Sequence, residues 1–252
     1  MFASASDLLP LAALFAVGIV SGALNVVAGG GSFLTLPVLI FLGLPAGVAN
    51  GTNRVGVLAQ NLAGVWGFHR SSAMAWRWGL SASVPAMAGA ALGAWLALRI
   101  PDFAFQRLLS VAMLVMTLWT VTYPPAREGR DTLTSPWHPG VVLAFVAIGV
   151  YGGLVQAGVG FAVLAATSLA GMNLVQGNAV KLLTVLLLTG LSLAIFASGG
   201  AVHWSFGLAL AAGNVLGALV GVRLAIGQGH RWIQRVVTVA VVIFAILLWF
   251  DV

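Results

Sequence analysis

The sequence predicts an all-α polytopic membrane protein. It predicts two homologous five-segment halves in inverted orientation, with about ten hydrophobic segments, two of them short and broken by glycine turns. Three observations carry this: a composition too apolar for water, apolar runs of helical length, and a second half that repeats the first without a gap.

Of 252 residues, 61% are hydrophobic and 6% are charged, against roughly 25% charged in a soluble domain. The mean hydropathy is +1.08. So few charges cannot cover a soluble surface of this size, which excludes soluble, disordered and DNA-binding readings. A helix crosses the hydrocarbon core in about 20 residues, so the chain has room for about ten crossings. The net charge of +6 comes from 11 bases and 5 acids. The bases punctuate apolar runs, which is the pattern of membrane-edge charge and not of a nucleic-acid partner. Cysteine is absent, so disulfides and thiolate chemistry are excluded. The first apolar run is flanked by Asp7 and not by a basic region, so it is expected to be a retained helix and not a signal peptide.

The first half, residues 1–123, carries apolar runs at 8–27, 33–44, 46–68, 77–98 and 103–122. A polar, proline-bearing loop follows at 124–138. The second half, residues 139–252, carries runs at 139–157, 161–171, 174–198, 204–226 and 230–250. Barrel-type alternation is absent, so the runs are helices. Shifting the chain by 128 positions pairs Gly30 with Gly158, Phe33 with Phe161, Asn50 with Asn178, Phe68 with Phe196, Trp76 with Trp204 and Arg107 with Arg235. Compositional bias aligns glycines by chance, but not tryptophan, asparagine and arginine in one register. Paired repeats of broken helices are a common build of secondary transporters.

Orientation follows from positive charge. Setting aside Arg54 and Lys181, which lie inside runs, ten crossings place Arg70, Arg77, Arg127, Arg130, Arg223, Arg231 and Arg235 on one side. Arg99 and Arg107 lie on the other, a split of seven against two. Eight crossings would split the same residues five against four. The positive-inside rule favours ten, hence five plus five inverted, with both termini outside and the two short runs as broken crossings.

Two constellations carry candidate chemistry. The first is the pair of glycine turns, Asn25 with Gly29, Gly30, Gly31, Ser32 and Phe33, and Gln156 with Gly158, Gly160 and Phe161. Unwound backbone inside a bilayer must be satisfied by protein, water or substrate. A helix restarting at Phe33 or Phe161 would aim N–H groups at the gap and attract an anion. The bland alternative is a plain tight hairpin. No Gly-Lys-Ser/Thr follows, so neither turn is a nucleotide P-loop. The second constellation is Asn50, Asn53 and Arg54, matched by Asn178 and Lys181. Cations inside a bilayer are costly and default to functional hypotheses. For Arg54, snorkelling to an interface and a site role are both open. For Lys181 the site role is favoured, because Asn53 replaces it in the other half.

The polar residues Gln60, Asn61, Thr184, Thr189 and Asn214 are expected to hydrogen-bond between helices. The pairs Gly18/Gly22, Gly89/Gly93, Gly149/Gly153 and Gly217/Gly221 suit close helix packing, within one protomer or in a homo-oligomer. The acids Asp7, Asp102, Glu128, Asp131 and Asp251 all lie at ends or in the loop, and so do the four histidines. No carboxylate proton relay, metal site, cofactor site or catalytic group is therefore expected. Ser21, Ser32 and Ser192 lack the neighbouring base that a nucleophile needs.

The turn Ala28-Gly29-Gly30-Gly31-Ser32-Phe33, the following Gly43-Leu44-Pro45, the segment Asn50-Gly51-Thr52-Asn53-Arg54, the turn Gln156-Ala157-Gly158-Val159-Gly160-Phe161 and the segment Asn178-Ala179-Val180-Lys181 together resemble the TauE/SafE sulfite-exporter family. The resemblance runs from about Leu11 to Phe250. It implies a multi-pass permease of the bacterial inner membrane whose partners are the lipid bilayer and a small sulfur-containing anion such as sulfite, a sulfonate or a related organic anion. An anion leaving the negative cytoplasm moves with the field, so export is the expected direction. An ion-coupled importer and a non-transporting assembly subunit are the rival readings.

Overall fold

The computed structural model describes residues 5–27, 29–122 and 132–227. Within them lie α1 (Ala5–Val27), α2 (Ser32–Phe41), α3 (Ala46–Arg70), α4 (Trp76–Ala97), α5 (Asp102–Thr122), α6 (Pro139–Leu154), α7 (Val159–Leu169), α8 (Leu174–Ser198) and α9 (Trp204–Gly227). The expected runs become helices, and the tenth, 230–250, lies outside the described residues, as does most of the 124–138 loop. Four stretches, Leu8–Val27, Trp76–Ala97, Leu174–Ser198 and Trp204–Ala225, are long and apolar enough to cross a bilayer. Among the described residues the regular structure is all helical, and the outer faces of this membrane protein are rich in exposed Leu, Val, Phe and Trp.

The boundaries follow local chemistry. Pro139 opens α6, where its missing N–H is no loss, and the His138 side chain accepts from Gly140 N–H. Asn173 and Gln176 form a capping box at the start of α8. The short helices α2 and α7 end alike. Gly43 and Gly171 have φ of +90° and +96°. The following amides, Leu44 and Met172, donate back to the carbonyls of Leu39 and Thr167. This glycine-dependent stop satisfies orphan carbonyls and reverses the chain.

Glycine contacts fix the helix directions. Gly213 packs on Phe15, Gly217 on Ile19 and Gly221 on Ala23, so α1 and α9 run parallel. Gly89 packs on Val146 and Gly93 on Val150, so α4 and α6 also run parallel. Gly207 lies against Val55 and Gly67 against Val222, which makes α3 parallel to α9. At the centre, Gly51 meets Ala201, Gly190 meets Leu58 and Gly64 meets Leu182, so α3 and α8 run antiparallel. The four small-residue pairs noted in the sequence therefore pack within one chain. A Cβ on Gly217 would land on the Ile19 carbonyl oxygen, and one on Gly149 on that of Ala86. Gly217→Val is expected to cost about 1–3 kcal/mol by overpacking. A thermal melt in detergent checks this; an unchanged midpoint would mean that α1 yields freely.

The short helices fold back beside their predecessors. Thr134, just before α6, donates its N–H to Ala170 at the end of α7 at 2.9 Å. The α6–α7 hairpin thus begins and ends at one end of the bundle. In the other half, α2 runs from the turn toward the start of α3: Thr35 in its first turn donates to Asn53 at 2.6 Å, and Leu44-Pro45 leads directly into α3. Trp78 Nε1 donates to Thr134 O, and Gly67 touches Val222, so the Arg70–Arg77 turn, residues 132–138 and Arg223 share one end. Gly47 N–H donates to Asp102 at the opposite end.

Candidate functional site

The tips of the two hairpins meet in the protein centre. Gly29 has φ of +98° and Gly158 +74°, and Gln156 holds +66° despite its side chain. Backbones cross at Gly29 and Gly160, where a Cβ on Gly29 would lie 2.7 Å from the Gly160 carbonyl carbon. Each phenylalanine covers the other half's glycine: Phe33 lies over Gly158 and Phe161 over Gly30. The two rings stack with centroids 6.2 Å apart.

The buried cations are exchanged between halves. Lys181 Nζ donates to the carbonyls of Asn25 and Val26, at 2.8 and 2.7 Å, and to Asn178 Oδ1 at 2.6 Å. It closes the C-terminal end of α1. Arg54 Nη1 donates to Gly152 O and Gln156 Oε1, and Nη2 to Gly153 O and Asn50 Oδ1. It closes the C-terminal end of α6, with its guanidinium 4.5 Å from the Phe196 ring centre. Helix C-termini carry partial negative charge and bare carbonyls, so a cation there is doubly favoured. Arg54 is 0% exposed and Lys181 2%; neither snorkels. Asn50 adds a bond from Nδ2 to Leu154 O at 2.8 Å.

A small cavity of about 10 Å³, room for about one water, sits at the crossing and is lined by polar side chains and by Val57, Val159 and Val185. It brings together six expected site residues, Asn25, Gly29, Ser32, Gln156, Gly160 and Lys181. Asn50, Asn53, Arg54, Asn178, Gly30, Gly31, Phe33, Gly158 and Phe161 stand behind them. The expected free N–H groups differ in detail. Phe33 N–H bonds Gly30 O, Phe161 N–H bonds Gly158 O, and Gly31 N–H bonds Asn25 Oδ1. The positive-φ turns let the chain close these bonds itself.

The structure also adds Gln60 and Asn61 to the cavity wall. Sequence reasoning assigned both to helix–helix bonds, and these are not made. Asn61 Nδ2 bonds Val57 O in its own helix. Gln60 is 2% exposed, its Oε1 has no partner, and no other bond is seen to its amide. The signal was present: two adjacent carboxamides inside an apolar run. Thr189 and Thr184 do bond between elements, to Gln156 and Ser83, while both amide atoms of Asn214 lack partners. Among the described residues no group of three or more His, Asp or Glu side chains is placed to hold a metal.

Apolar helices of spanning length, with broken helices meeting at a buried polar centre, define a multi-pass membrane transporter. Residues 14–248 match the family described as Sulfite exporter TauE/SafE, and the chain belongs to that family. It is 29% identical over 231 residues to a probable membrane transporter protein of Haemophilus influenzae, covering 91% of this chain and 90% of the relative. It is 28% identical to the probable membrane transporter protein ORF9 of a Sinorhizobium species, covering 96% and 93%. It is 26% identical to the probable membrane transporter protein YfcA of Escherichia coli, covering 96% and 90%. No solved structure matches the chain.

Proposed function

We propose that this transporter exports a small sulfur-containing anion, such as sulfite, a sulfonate or a related organic anion, across the bacterial inner membrane. The observation that carries the anion is the pair of buried cations, Arg54 and Lys181, in a chain whose apolar runs hold no carboxylate. Their bonds go to carbonyls and amides, so among the described residues no carboxylate neutralises them. The anion sits where the turns cross, against Asn25, Gly29, Ser32, Gln156, Gly160 and Lys181, with Arg54, Asn50, Asn53 and Asn178 supporting the wall. A cavity of about 10 Å³ is too small for an oxyanion, so the hairpins part during transport and Lys181 exchanges a carbonyl for substrate.

The halves, 1–123 and 139–252, are related by a two-fold axis in the membrane plane. This is supported by the antiparallel run of the repeat partners α3 and α8. The α1–α2 hairpin then enters from outside and α6–α7 from the cytoplasm. This keeps an odd number of full crossings per half, and it keeps the arginine-rich end inside. Each hairpin is thus a gate for one side of the membrane.

Export needs no coupled ion, because an anion leaving a negative interior gains about 2.3 kcal/mol per charge per 100 mV. The test is sulfite flux from proteoliposomes under an imposed potential, with pH and sodium clamped. Efflux should rise as the interior is made more negative. Flux that ignores the potential and follows a sodium or proton gradient would replace export with coupled import.

A further inference from the structure

We propose that Gln60 and Asn61 read a proton on the substrate, so that the site takes a monoanion bearing its own hydrogen-bond donor. Hydrogensulfite fits this class and fully ionised sulfite does not; the proposal rests on the anion-transport reading above. The warrant is the inventory of groups that face the cavity. Lys181 has all three protons engaged, and Gln156 has both amide atoms engaged, with Arg54 and Thr189. Free groups remain on Asn25, Ser32, Gln60 and Asn61. Asn25 Oδ1 accepts from Gly31, which leaves its Nδ2 as a donor. Asn61 Nδ2 donates to Val57, which leaves its Oδ1 as an acceptor. Gln60 is buried and makes no hydrogen bond with the described residues, and its carboxamide presents both a donor and an acceptor whichever way it is turned.

The cavity therefore offers acceptors as well as donors beside its cation. A buried unsatisfied carbonyl is costly. An oxyanion without a proton can only accept, so it would set its lone pairs against Asn61 Oδ1 and the Gln60 carbonyl. An anion with one O–H satisfies both kinds of group: its charged oxygens take Lys181, which gives up a carbonyl, together with Asn25, Ser32 and the Gln60 NH₂, and its hydroxyl gives to a carboxamide oxygen. Sites built to bond a hydroxyl reject the analogue lacking it far more strongly than apolar pockets reject a methylene. The lining comes from α1, the α1–α2 turn, α2, α3, the α6–α7 turn, α7 and α8. The titratable group among the lining residues is Lys181, and Arg54 reaches the wall through Gln156.

The test compares sulfite with methanesulfonate, a monoanion with no O–H at any pH, in proteoliposomes of the unaltered protein across neutral pH. Sulfite flux should follow the hydrogensulfite fraction, falling about tenfold per pH unit well above its ionisation. Methanesulfonate flux should be at least about tenfold lower at acid pH and flat with pH. In Gln60→Met and Asn61→Leu the preference for hydrogensulfite over methanesulfonate should collapse. Equal handling of the two anions, or flux that tracks the dianion, overturns this inference alone. A methanesulfonate profile parallel to that of sulfite would place the pH effect on Lys181, and it also overturns the inference. If no sulfur oxyanion moves at all, the transport reading fails and takes this with it. Should the variants not fold, the pH profiles of the unaltered protein still decide.

Discussion

Arg54→Ala is expected to be the most destabilising single change in the described structure. It strips a partner from Gly152 O, Gly153 O, Gln156 Oε1 and Asn50 Oδ1 at once, in a position that is 0% exposed. Each orphaned buried acceptor costs about 1–3 kcal/mol. Removing a buried cation gives back part of its desolvation, so a net loss on the order of 3–5 kcal/mol is expected. Arg54→Lys keeps the charge but not the planar fork that spans two carbonyls and Gln156, and should recover only part of the loss. Melting in detergent, with substrate absent, measures both. A lysine variant as stable as the parent would mean that charge alone holds the α6 end.

Lys181→Ala is expected to reduce substrate affinity by about ten- to a hundredfold, since a charge-assisted hydrogen bond contributes about 1.5–3 kcal/mol. The same change frees the carbonyls of Asn25 and Val26, so stability without substrate should also fall. The two roles separate in one assay: thermal stabilisation by added sulfite should disappear beyond the shift in the substrate-free melt. Unchanged stabilisation by sulfite would mean that Lys181 only ties the end of α1.

The helices were legible because the signals are local. Apolar length, Pro139 at a start and Gly43 and Gly171 at two stops act within a few residues of themselves. The repeat register also led to the centre. Phe33 and Phe161, found as partners by counting, stack on one another, and their paired glycines lie under them, Gly158 under Phe33 and Gly30 under Phe161. Arg54 was left open because its length permits either snorkelling or burial, and only the neighbours of α3 decide between them. Gln60 was misread for a related reason. An amide in a helix looks the same in sequence whether a partner helix faces it or a cavity does.

The sequence by itself determined that this is a membrane protein of bundled helices, with two glycine breaks and two cations inside apolar runs. Those properties are sums over composition or patterns within single segments. The tertiary structure alone decided that Lys181 closes the end of α1 and Arg54 the end of α6, each across the halves. It alone turned the short helices back toward the end from which their hairpins entered. A helix C-terminus leaves carbonyls unsatisfied wherever it falls, but which side chain reaches them depends on the direction and depth of a helix more than a hundred residues away, and no local pattern carries that.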